Sequence, residues 1–259
     1  MMSGMARTCV FCGASGLTRE HVIPRWLTAV LPEQAQWRGQ DQATLYTDRA
    51  IPDGEPLHRE VAERFNAMTV KAVCAQCNND FMNEIEKAAR PILATMIRGQ
   101  LAIALDPSSL TKVATWAVKT GLMIQLTGQE PARLDRLYEH LFREGIPSDA
   151  CRIWLGQIDD EDWALRAEYP SMLVQSEGEV LDASDPPNVL TVTLGLGRLL
   201  FHMFLPADPA RSYWFDLHTT FAGMIPVWPK PASVNWPPSR ATRGDEAWAL
   251  TMILPMYHG

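Results

Sequence analysis

TVKAVCAQCNNDFMNEIEKAARPILATMIRG, residues 69–99, changes its hydrophobic period part-way, and that change decides the local fold. Its first residues, with Met68, read as a strand, MTVKAV. Beyond them Phe81, Ile85, Ala88, Ala89, Ile92, Met96 and Ile97 recur on one helical face, with Gly99 as a stop. Asn78 to Asp80 offer capping oxygens at the helix start, and Pro91, which has no N–H, is expected to kink or split the helix. Cys74 and Cys77 lie at the junction, so this pair sits at a helix N-terminus, where orphan N–H groups favour an anion.

The same C-x-x-C spacing occurs once more, in CVFCG (9–13). A C-x-x-C pair is the spacing with which a knuckle grips one metal from two sides. Two such pairs, Cys9/Cys12 and Cys74/Cys77, read as a tetrahedral four-cysteine structural zinc site. Cys151, alone before the apolar RIWL, reads as a buried small hydrophobe.

The whole chain bounds these readings. With 259 residues, 47% of them hydrophobic, it can bury a sizeable core in one large domain or two modest ones. Its first residues show no basic stretch followed by an apolar core, and no window carries the roughly 18 uninterrupted apolar residues of a membrane helix, so a cytoplasmic protein without a membrane partner is expected. The net charge is −7, and the excess acidity falls in residues 100–259, with 12 Lys+Arg against 19 Asp+Glu; residues 1–99 balance at 11 against 11. A broad basic face for nucleic acid is therefore excluded, and any DNA groove must be local or rely on a metal ion for positive charge.

A zinc bridging the two knuckles would bring TREHV (18–22) beside CNND (77–80). Glu20, His21, Asn78 and Asn79 would then share one small region, a set sufficient for metal-assisted hydrolysis. His21, with an ordinary pKa of about 6.5, can take a proton from water near neutral pH. Glu20 and an asparagine carbonyl can hold a divalent ion such as Mg2+. Alternatives stay open: helix capping for Asn78 and Asn79, an Asn79/Asn83 pair as the ligating face, and a surface couple for Glu20–His21. Arg19 and Arg25 could contact phosphate or simply be solvated, and Trp26 reads as core rather than base-stacking.

C-x-x-C, EHVIP and C-x-x-C-N in this order resemble the HNH endonucleases of the ββα-metal, or treble-clef, superfamily, similar to endonuclease VII-type and HNH homing and restriction nucleases with a four-cysteine zinc. The resemblance covers about residues 7–90. It implies His21 as general base, Glu20 as the acidic ligand of a catalytic divalent ion, and Asn78 as the ligand at the helix start. The family more often carries Asp where this chain has Glu20.

The expected fold class is α+β: a zinc-stapled HNH-like domain over 1–99, with an insertion of loop and short helix at about 33–65, then an α+β region over 100–259. The latter holds two helices, DPSSLTKVATWAVKTGLMIQLTG and EPARLDRLYEHLFREG, and a mainly antiparallel sheet. Its strands are read at CRIWLGQI, WALRAEY, NVLTVTL, RLLFHMFL and a terminal WALTMIL. Leu199, Phe201 and Met203 share one face and His202 the other, where it reads as a packed histidine. The Pro-rich stretch PVWPKPASVNWPPSRATRGDE reads as surface chain laying Trp228 and Trp236 on the sheet.

Three functions follow: a metal-dependent endonuclease acting on DNA; a zinc-stabilised binding or scaffold module with a degenerate site; and an effector of bacterial defence or of a mobile element, activated through a C-terminal region that senses a ligand or docks a protein partner.

Overall fold

Strands β1 (Leu17–His21), β2 (Arg38–Asp41), β3 (Arg59–Val61) and β4 (Thr69–Cys74) come first in the computed structural model, which describes residues 8–31, 38–41, 59–61, 68–99, 101–128, 131–174, 182, 185–210, 223–229 and 233–252. β1 and β4 pair antiparallel. Thr18 faces Val73 while Glu20 faces Val70, so two steps on β1 oppose three on β4. This β-bulge bends the pair where the site forms.

From Cys77 the chain turns into a helix whose first part, Cys77–Met82, is a π-helical turn, followed by α1 (Asn83–Arg98). Its buried residues are Ile85, Ala89, Leu93, Met96 and Ile97; the expected stripe did not include Leu93, and Ala88, which it did include, is exposed. Pro91 does not split the helix in two, which was one of the two outcomes expected. It lies on the exposed side, where the carbonyl its missing N–H would have bonded can turn to water. Gly99 ends the helix in the left-handed conformation, φ +64°.

β5 (Ile103–Leu105) leads to α2 (Pro107–Ile124), whose N-cap Asp106 accepts from the Ser109 N–H at 2.7 Å. All of α2 from Val113 to Ile124 is buried, so it is a central helix rather than an amphipathic surface one. α3 (Asp135–Glu144) follows, then β6 (Arg152–Gln157), β7 (Leu165–Glu168), β8 (Ser171–Met172), β9 (Val189–Leu196), β10 (Leu199–Pro206), β11 (Met224–Trp228), β12 (Val234–Trp236) and α4 (Gly244–Thr251). The main sheet has eight strands in the order β11-β6-β10-β9-β7-β2-β3, with β8 beside β9. It is antiparallel except where β2 joins β7 in parallel. The fold is thus α+β. Within the 33–65 insertion, the described residues are strand rather than helix; the remainder lies outside the described residues.

Where a strand was expected at WALTMIL, Trp248 to Thr251 belong to α4, and Ile253 and Leu254 lie outside the described residues. A short apolar run fits either period, and here the N-terminal signals decide: Asp245 and Glu246 fill the first turn, and the Glu246 carboxylate accepts from the Arg243 N–H at 2.9 Å. The Pro-rich stretch contributes β11 and β12, with Trp228 and Trp236 buried.

Apolar side chains from both halves form one continuous core across residue 99, from Val22 and Leu27 through Leu93 and Trp116 to Leu194 and Phe201. A second cluster, including Trp163, Leu200, Phe204 and Leu250, lies under α4. At the β9–β10 turn the Arg198 N–H donates to the Ile97 carbonyl at 2.9 Å, tying the sheet to the end of α1. Gly197 holds φ +56° there, and a Cβ on it would meet the Ile97 oxygen at 2.6 Å. No described helix is long and apolar enough to cross a membrane.

Candidate functional site

The two cysteine pairs meet at one end of the β1–β4 pair. The first knuckle is closed by the Gly13 N–H donating to the Cys9 carbonyl at 2.8 Å, with Gly13 at φ +73°. It is pinned to β4 by the Val10 N–H, which donates to the Ala72 carbonyl at 3.0 Å, at the bulge. The second knuckle is the step from β4 into the π turn, where the Cys77 N–H points at Cys74 Sγ, 3.4 Å away. All four sulfurs lie within 4.8 Å of one another and none is in a disulfide. A tetrahedron with metal–sulfur bonds of about 2.3 Å has edges of about 3.8 Å; Cys12 Sγ and Cys74 Sγ are 3.6 Å apart. Burial raises the Cys9 thiol pKa, but backbone hydrogen bonds from Cys74, Cys12 and Phe11 outweigh it and bring the group down to about 7. Four soft donors in this arrangement could hold a metal ion.

Beside the knuckles a cleft of about 590 Å³ opens between β1, the turn at Pro24–Trp26 and the first three turns of the helix. Glu20, His21, Asn78, Asn79 and Asn83 all line it, as do Arg19 and Arg25. Every non-cysteine residue named from the sequence as a possible ligand, base or phosphate contact therefore comes to one surface. Asn78 hydrogen-bonds the Glu20 carboxylate. Its amide also lies 3.5 Å from Thr18 Oγ1. Neither asparagine caps the helix, because the helix begins earlier and the N-cap position of the π turn, Gln76, makes no side-chain bond. The capping alternative is thus replaced by a cleft-facing one.

Burial raises the Glu20 pKa above the usual carboxylate value, and Glu86 adds to this; the Lys119 charge and the Asn78 hydrogen bond pull it partly back. Arg25 Nε donates to His21 Nε2 at 3.1 Å. Since a guanidinium only donates, Nε2 is the unprotonated nitrogen of the ring.

No family model, curated protein or solved structure matches this chain.

The chemistry is therefore carried by the side chains alone. Glu20 and Asn78 offer hard oxygen donors suited to a divalent cation, and His21 an imidazole nitrogen facing the same space. Four cations, Arg19, Arg25, Lys87 and Arg90, line the cleft against two carboxylates, Glu20 and Glu86. This local excess contrasts with the net charge of −7. Trp26 also lines the cleft, half-buried, donating Nε1–H to Glu86 and carrying the Arg90 guanidinium 5.7 Å from its ring centre.

The sequence reading did not include Glu86, Lys87, Arg90 or Lys119. Asn79, Asn83, Glu86 and Arg90 follow helical spacing, so the polar stripe opposite the apolar one was the signal for the first three. For Lys119 the signal was a lone charge in the apolar run VATWAVKTGLMIQL.

Proposed function

We propose that the chain is a metal-dependent endonuclease of the HNH type that hydrolyses phosphodiester bonds in DNA. The observation that carries the reading is the convergence of Glu20, His21 and Asn78 on one cation-rimmed cleft beside four clustered cysteines. The resemblance of C-x-x-C, EHVIP and C-x-x-C-N to that family assigns these same residues the same roles.

In this reading Cys9, Cys12, Cys74 and Cys77 hold a structural zinc, a closed site with no vacancy for substrate, and so fix the β1–β4 pair against the helix. Glu20 and Asn78 would hold a divalent ion such as Mg2+, which when bound supplies charge to the scissile phosphate and to the leaving oxygen. Asn79 and Asn83 are the alternative oxygen donors. His21 Nε2 accepts a proton from water as it attacks phosphorus; the bond from phosphorus to the leaving oxygen breaks, that oxygen takes a proton from solvent, and the protonated ring returns its own to solvent at the cleft. Arg19, Arg25, Lys87 and Arg90 bind flanking phosphates, which accounts for how an acidic chain approaches a polyanion.

Incubation of the purified chain with plasmid and single-stranded DNA in Mg2+ or Mn2+ tests this. Cleavage that vanishes in His21→Ala is expected; no cleavage, or cleavage indifferent to that substitution, would sink the proposal.

One observation favours a second reading, a binding or scaffold module with a degenerate site: Arg25 occupies the His21 nitrogen that a base must keep open. Tight DNA binding at the cleft without divalent-ion binding would support it. The expected DNA groove, partner-dependent activation and cytoplasmic setting belong with these proposals.

A further inference from the structure

Lys119 is fully buried, with 0% of its side chain exposed, and is the single charged residue between Val113 and Ile124 of α2. Its ammonium pairs with Glu86 Oε1. The other oxygen of Glu86 accepts from Trp26 Nε1. Both oxygens of the carboxylate that lines the cleft beside Glu20 are thus engaged, one by α2 and one by the segment that follows β1. The Trp116 ring covers the ammonium at 5.8 Å.

Stability alone does not explain the arrangement. Desolvating an ammonium and a carboxylate costs about as much as their attraction returns, and a well-packed apolar replacement is often neutral or better. In a buried stretch that carries no other charge, Val113 to Ile124, a methionine would fill the same space. What a methionine could not do is cancel the charge of Glu86. Left unpaired, Glu86 would be a second free carboxylate next to Glu20, drawing a cation toward itself and repelling an anionic substrate. The Lys119 charge is also close enough to act on Glu20.

We propose that Lys119 is a positioning residue of the cleft: its buried ammonium neutralises and orients Glu86, leaving Glu20 the one carboxylate lining the cleft, among the described residues, that is presented to a bound cation. The site is then composite, its electrostatics completed by a helix that lies beyond residue 99. This rests on the reading of the cleft as a cation site, and not on what the substrate is.

The test uses the full-length, zinc-loaded chain and Mn2+ as probe, titrated by calorimetry or by the loss of the free-ion paramagnetic signal, with thermal midpoints recorded alongside. Lys119→Met frees Glu86 and is expected to tighten Mn2+ binding on the order of tenfold, the effect of one unit charge a few ångströms away in a partly wet site. Glu86→Gln leaves the ammonium uncompensated and is expected to weaken binding by a similar factor. The double variant Lys119→Met/Glu86→Leu removes both charges and is expected to lie within about threefold of wild type. It also stays informative if Lys119→Met alone fails to fold.

Opposite shifts in the two single variants support the proposal, because a purely structural role would not produce them. Unmoved affinities, or shifts of one sign that follow the thermal midpoints, overturn it while leaving the cation site intact. If the wild-type chain binds no Mn2+, or binds it equally after Glu20→Gln, the reading of the cleft falls and this proposal with it.

Discussion

His21 and Arg25 compete for the same role at the cleft, and the competition has a kinetic signature. A guanidinium on Nε2 blocks proton transfer from water, and a phosphate entering the cleft gives Arg25 a stronger, charge-assisted partner. Arg25→Ala is expected to weaken DNA binding several-fold while leaving the single-turnover rate at saturating DNA equal or higher; His21→Ala is expected to lower that rate by about 10²–10⁴ with little change in binding. Single-turnover cleavage of a labelled duplex separates the two. Elsewhere, His202 is buried between β6 and β9, with Nδ1 2.9 Å from Thr193 Oγ1 and the Trp154 ring alongside. Burial alone brings its pKa down to about 3 from the ordinary 6.5. Between these values the unfolded chain binds a proton that the folded chain does not, so stability rises with pH there and is fully present above about 6.5. The unfolding free energies of wild type and His202→Leu from urea titration should therefore diverge on acidification, by about 1.4 kcal/mol per pH unit below pH 6. A constant difference between the two would contradict this. The packed role of His202 was legible in its alternating strand, as was the Glu20–His21–Asn78 set in its short motifs. Lys119 was not, because its meaning depends on a contact with Glu86, 33 residues away.

The β1–β4 pair and the helix start are short elements, and the four cysteines cluster where they meet. Stripping metal with a strong chelator is expected to lower the thermal midpoint and to raise hydrogen exchange in Leu17–His21 and Thr69–Cys74, while β9 and β10 in the main sheet stay protected. Uniform protection before and after chelation would show that the cysteines contribute no fold-supporting metal site. Most elements were readable in advance because their periods are long and their ends signalled, as at Asp106 of α2 and Gly99 of α1. The exceptions have different causes. WALTMIL was too short for its period to decide between strand and helix, and its N-terminal carboxylates did so. Pro91 left the helix whole because it faces solvent.

At the scale of the molecule, α2 is the element both halves need. It packs against α1 on one side and meets β10 and β11 on the other, so its burial is incomplete in either half alone. A fragment of residues 1–99 is expected to remain largely unfolded even with zinc, because Leu93, Met96 and Ile97 would face water; amide dispersion by NMR checks it. In the full chain Leu93→Ala should destabilise by about 2–5 kcal/mol in urea unfolding. This dependence was not visible in the sequence, since composition and charge both change near residue 99 and suggest a boundary there, whereas a shared core leaves no compositional trace. The β9–β10 turn adds a consequence in time. The terminal carbonyl of α1 at Ile97 waits for the N–H of Arg198, and translation at about 5–20 residues per second separates the two by about 5–20 s. Every candidate ligand of the cleft is therefore synthesised well before the part of the chain that steadies its helix, and a nascent chain would carry the motif before it carries the site.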